Sequence, residues 1–94
     1  KVGQEIAKKL ARLSRDRQLL CVTHLPQIAS MADNHYFIDK YAADGKTYTR
    51  VAALDKNAQI DEIARLSGGK DISSGAIENA GQMKKWSDEY KNSL

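Results

Sequence analysis

Ninety-four residues with 15 Lys and Arg against 12 Asp and Glu carry a formal net charge of +3, with 41% hydrophobic and 29% charged residues. That charge is too small and too dispersed to indicate nucleic acid by itself, no apolar run approaches the ~18 residues of a membrane helix, and a lone cysteine excludes an internal disulfide. A soluble, cytosolic chain with one modest core is expected, since domains of this size bury only roughly 60–70% of their unfolded surface.

The chain starts at Lys1 rather than Met and enters a helical pattern without a signal-peptide apolar stretch, so a piece of a longer protein is expected. Val2, Ile6, Leu10 and Leu13 recur at spacings of four, four and three with Lys8, Lys9 and Arg12 on other faces, predicting an amphipathic helix over residues 2–14 that buries that stripe. Leu19-Leu20-Cys21-Val22-Thr23 follows as an apolar run. It reads as a strand hidden on both faces of a covered parallel sheet, with Cys21 a buried thiol.

Pro26 forbids continuation of that strand and suits the first turn of a helix running to about Asn34. His24 is thereby placed at the carboxyl end of a central strand, where open α/β sheets bind ligands. His35 to Tyr41 and Lys46 to Leu54 are β-rich runs joined through Asp44-Gly45, a two-residue hairpin signal, so an antiparallel hairpin added to the sheet is expected. Asp55 or Asn57 can cap a third helix carrying Ile60, Ile63 and Leu66 and closed by Gly68-Gly69. Ser73 or Ser74 can cap a fourth helix, with Ala76, Ala80, Met83, Trp86 and Tyr90 on one face, a weak point at Gly81 and a polar last turn prone to fraying.

Several stretches imitate chemistry-bearing motifs. Gly45-Lys46-Thr47 has the ending of a P-loop, but the leading glycine should stand at position 40, which is Lys40, and no helix follows. It reads as a turn. Leu66-Ser67-Gly68-Gly69-Lys70 resembles an ABC-type signature loop, yet its glycines close a helix, where carbonyls repel a phosphate. Cys21 and His24, three apart on a strand, leave opposite faces and make no catalytic pair. His24 and His35 have no further Cys or His with which to hold zinc. His24 itself could be a strand-end histidine whose ring bonds a neighbouring carbonyl.

The whole phrase Cys21-Val22-Thr23-His24-Leu25-Pro26-Gln27-Ile28-Ala29-Ser30-Met31-Ala32-Asp33, with the helix before it and the hairpin after it, resembles the RecN family of bacterial DNA repair proteins, relatives of the structural-maintenance-of-chromosomes (SMC) ATPases. The similarity continues through Thr49-Arg50-Val51 and Ile63-Ala64-Arg65-Leu66-Ser67-Gly68-Gly69. The resemblance implies an α/β fold in which residues 1–94 are the C-terminal segment of a P-loop, ABC-type ATPase head, an incomplete domain of one buried strand and an antiparallel β-hairpin flanked by about four helices. It also implies that His24 is the switch, or H-loop, residue, catalytic in holding the γ-phosphate of ATP and the attacking water. ATP and Mg2+ would be bound mainly by an upstream P-loop and Walker B pair.

The implied partners are the upstream half of the same head, a second head copy in an ATP-sandwiched dimer, and DNA through the full-length protein, with no membrane. The implied setting is the cytoplasm, in association with the nucleoid, and the implied task is double-strand-break repair and recombination. Residues 81–94 match the family less well and receive no role.

Two other readings stay open: a small noncatalytic α/β interaction module that docks a partner through its first helix, or the head of another SMC-like or ABC-type ATPase. On the favoured reading the 94 residues alone do not hydrolyse ATP, because one histidine cannot replace the missing phosphate and Mg2+ ligands. Turnover by the purified chain that disappears in His24→Ala would contradict it.

Overall fold

The computed structural model describes residues 2–68 and 73–94. In chain order these form α1 (Val2–Leu13), α2 (Pro26–Ala29), β1 (Tyr36–Ala43), β2 (Lys46–Ala53), α3 (Lys56–Gly68) and α4 (Ser74–Asn92). None of the described helices is long and apolar enough to cross a membrane.

α1 has Glu5 in its first turn and Arg12 in its last, each matched to the helix dipole. The face it buries is not the expected one. Ala7 and Ala11 are buried with Met31, and Ile28 and Tyr90 pack against them, whereas Val2 is 77% exposed and Ile6 and Leu13 are also exposed. The two faces lie roughly 100° apart on the helix. Two alanines four residues apart make a flat strip that lets a neighbour come close. Gly3 extends it, since a Cβ there would stand 3.3 Å from Gln27 Oε1. The larger side chains are left for a surface that these residues do not supply.

The expected strand at Leu19–Thr23 is absent. Residues 18–25 carry no regular structure, Leu20 and Val22 are 93% and 87% exposed, and Cys21 is an exposed free thiol rather than a buried one. A strand exists only through hydrogen bonds to a neighbour, and the two strands among the described residues pair with each other. His24 is therefore not at a strand end in this chain. The helix after Pro26 is also shorter than expected, a single turn ending at Ala29.

The hairpin forms where expected, but among the described residues it is a sheet of two strands and is not added to a larger one. β1 and β2 are antiparallel from Tyr36 opposite Ala53 to Ala43 opposite Lys46, and Leu54 N–H donates to the His35 carbonyl at 2.9 Å to add one rung. Asp44 and Gly45 have φ of 53° and 73°, the left-handed pair of a type I′ turn. Beside the turn Tyr41 and Tyr48 stack with centroids 5.5 Å apart. Arg50 pairs with Asp39 through two hydrogen bonds and lies over the Tyr41 ring.

Asp55 caps α3, its carboxylate accepting from Ala58 N–H at 2.8 Å, and Ser73 caps α4, its hydroxyl accepting from Ala76 N–H at 3.1 Å. Each satisfies one donor left free at a helix start. The main core lies between these helices and α2: Ile63, Ala64, Ala80 and Ala29 are buried, with Ile60, Leu66, Ala76 and Met83 against them. Leu66-Ser67-Gly68 is the last turn of α3; Gly69 and Lys70 lie outside the described residues.

Two features of this fold are open to measurement. A β-carbon at Gly45 meets nothing within 4 Å, so Gly45→Ala isolates the backbone cost of a left-handed φ, roughly 1–2 kcal/mol, whereas Gly45→Asn should lose less. Equal urea midpoints for wild type and Gly45→Ala would show that the turn does not limit stability. His35 is held below the usual histidine range, first by burial and then by the charge of Lys84, against the opposing pull of Glu62. The unfolded state therefore binds the proton more readily, so this group's contribution to stability is complete above the unfolded value near 6.5 and is lost as pH falls through the lower folded value. Between pH 7 and pH 5 the melting temperature should fall, and fall less in His35→Gln; identical slopes would remove His35 from the acid response.

Candidate functional site: a histidine turn held by the last helix

The site is built from the stretch Thr23 to Asp33 and the carboxyl half of α4. Thr23 Oγ1 accepts from Leu25 N–H at 3.0 Å, closing a small side-chain turn around His24. Leu25 is extended, with φ −90° and ψ 123°, as a residue before proline must be. Pro26 then occupies the first turn of α2, where its missing N–H costs nothing. The Leu25 carbonyl accepts from Ile28 and Ala29 N–H at 3.2 and 3.0 Å. His24 is exposed on this turn, with its main chain bounded on both sides.

One turn of helix has little stability of its own, and α2 is held from outside at its carboxyl end. Ser30 Oγ donates to the Gln27 carbonyl at 2.9 Å and stands 2.8 Å from Ser87 Oγ. Because Ser30 has one hydroxyl proton, Ser87 is the donor in that second bond. Lys84 Nζ donates to the Ser30 and Ala32 carbonyls at 3.2 and 3.0 Å. Lys91 Nζ donates to the same Ala32 carbonyl at 3.1 Å and to Asp33 Oδ1 at 2.9 Å. Cations thus meet the carbonyls leaving a helix, where its dipole favours them.

Asp88 organises these cations, with its carboxylate 3.2 Å from Lys56, 3.4 Å from Lys84 and 3.6 Å from Lys91. Burial would raise Asp88, but the hydrogen bond from Lys56 and the charges of Lys84 and Lys91 outweigh it and hold the carboxyl below its ordinary range. Lys84 is lowered, first by burial and then by the charge of Lys91, with Asp88 opposing. A mostly apolar cleft of about 280 Å³ lies between α1, α2 and α4, bounded by Gln4, Gln27 and Trp86 and reaching Ser30 and Ser87. Lys8 sits over the stacked Trp86 and Tyr90 rings at its margin.

Of the residues singled out from the sequence, His24 lies on this turn, and Gly45-Lys46-Thr47 is in the hairpin. No group of three His, Cys, Asp or Glu side chains that could hold a metal occurs among the described residues. Sequence reasoning missed Ser30, Lys84, Ser87 and Lys91. Their signal was present: Ala80, Lys84, Ser87 and Lys91 follow at spacings of four, three and four, so they share one helix face. Two small residues on that face mark a close approach.

No protein-family model matches the chain. Comparison with characterised proteins finds DNA repair protein RecN of Bacillus subtilis, 41% identical over 91 residues, covering 97% of this chain and 16% of that protein. RecN of Xylella fastidiosa (strain Temecula1) is 42% identical over 82 residues, covering 87% and 15%. RecN of Deinococcus radiodurans is 41% identical over 78 residues, covering 83% and 14%. The chain spans about one sixth of the length of the first of these relatives. Identity at this level across nearly all of the 94 residues, in such distant bacteria, shows that the chain belongs to the RecN family, corresponding to one segment of its members.

Proposed function

We propose that this chain is the C-terminal segment of the ATPase head of a RecN-type DNA repair protein and that it supplies the histidine which senses the γ-phosphate of ATP. The observation that carries the reading is the exposed His24 on a braced turn, within a segment similar to RecN over nearly its whole length. An imidazole in its neutral form can donate a hydrogen bond to a γ-phosphate oxygen and orient the attacking water without adding a fixed cation. Phosphoryl transfer depends mostly on such positioning.

ATP and Mg2+ would be held mainly by the rest of the protein. The Gly45-Lys46-Thr47 stretch is a hairpin turn whose backbone pairs with β1, and the described residues offer no metal-holding cluster. This chain's own part is to bring one imidazole to a site completed by others, so the 94 residues alone are inactive.

The upstream half of the head is the partner that fits the exposed Val2, Ile6, Leu13, Leu20 and Val22. In the intact protein a second head would close over ATP, and hydrolysis would reset the pair during double-strand-break repair and recombination on DNA in the nucleoid.

In the full-length protein His24→Ala should lower the single-turnover rate of ATP hydrolysis by about 10²–10³, the usual worth of one positioned donor to a developing charge, with ATP affinity preserved. Unchanged hydrolysis in a folded variant would return His24 to a structural role.

A further inference from the structure

We infer that Lys84 is a positioning residue for His24, acting through α2; this rests on the reading of His24 given above. Between His24 and α2 stands only Leu25, extended ahead of Pro26, whose rigid ring opens the helix, so where α2 sits and how it is tilted fixes where the imidazole is presented. α2 is four residues long. Its Ala29 and Ile28 rest in the two small cores, and its carboxyl end is tied to α4, a helix of 19 residues whose amino half is packed into the main core through Ala76, Ala80 and Met83.

Lys84 is the buried link between the two. It is 4% exposed, and its ammonium bridges the Ser30 and Ala32 carbonyls just beyond α2, while Asp88 one turn along the same helix balances its charge. Lys91 reaches only the outer of those two carbonyls. Ser87 adds a hydrogen bond to Ser30 from the same face. Burying an ammonium is costly, and a packed methionine of similar length would serve a core better. The position of this cation is accounted for by what it holds, the two carbonyls that fix the far end of the His24 turn.

The test is a double-mutant cycle in the full-length protein, with Lys84→Met, His24→Ala and the pair measured for ATP affinity and single-turnover hydrolysis. Lys84→Met keeps the length of the side chain and removes both carbonyl bonds. Its hydrolysis rate should fall about tenfold or more with ATP affinity within about twofold, since displacements near 1 Å can cost up to 10²-fold in rate.

In the His24→Ala background the same change should cost nothing further, the signature of one residue acting through another. A full additional loss in that background would overturn the inference while leaving His24 in place, as would wild-type hydrolysis by a folded Lys84→Met. Wild-type hydrolysis by His24→Ala would overturn both readings. If Lys84→Met does not fold, Ser87→Ala enters the same cycle, with a smaller loss expected and the same absence of effect without His24.

Discussion

The arrangement of this chain depends on one buried ammonium. Lys84 sits where α4 crosses the end of α2, and its bonds to the Ser30 and Ala32 carbonyls supply what a one-turn helix lacks, partners for the acceptors that leave its carboxyl end. Removing such a partner costs more than the bond is worth, because buried carbonyls then lose both water and protein. Around it the equally buried Ser30–Ser87 hydroxyl pair and the more exposed Lys91–Asp33 ion pair repeat the same attachment. The two small cores, Ala7–Ala11–Met31 and Ala29–Ile63–Ala64–Ala80, meet at this segment: α2 contributes Ala29 to one and packs Ile28 on the other.

What the sequence made legible is what local chemistry decides. Asp44-Gly45 reads as a hairpin because both residues tolerate a left-handed φ, and the caps narrow to Asp55 or Asn57 and to Ser73 or Ser74 because a short side-chain oxygen three residues ahead of a free N–H needs no distant partner. What it hid is non-local. Leu19–Thr23 has the composition of a central strand and carries no regular structure, because no strand among the described residues pairs with it. The stripe Val2, Ile6, Leu13 has the period of a buried face and is exposed. The Ala7–Ala11 strip replaces it because small residues suit the neighbours that are present.

The candidate site was legible by half. Pro26 singled out His24 beside it, but the residues before it were read as a central strand that is absent, and the clamp behind the turn lay in a stretch whose charge argued for solvent. Lys84 and Lys91 were hidden by the expectation that lysines face water, which holds on average and fails where an ammonium finds carbonyls and a carboxylate together. Ser87 between them was the available clue, since a small polar residue in step with Ala80 fits a helix face pressed against backbone. Trp86 and Tyr90 drew attention instead, yet they form a neighbouring face under Lys8.

These exposures and this clamp fit together. On the proposed reading, a segment that joins others to complete a sheet would keep its apolar joining surfaces free while fixing internally whatever geometry the joined site requires. Here Leu20 and Val22 are open to solvent immediately before a turn closed by Thr23 and pinned through α2. The division falls at His24. The residues before it are exposed and without regular structure, and those after it are already held by Pro26, Ser30 and the lysines of α4. A histidine at that boundary would reach its working position only when the strand before it forms, so assembly of the whole head and readiness of the imidazole would be one event. A lysine or arginine there would place a permanent charge beside a phosphate before as well as after assembly, whereas an imidazole can act through one directed hydrogen bond whose value depends on where the turn holds it.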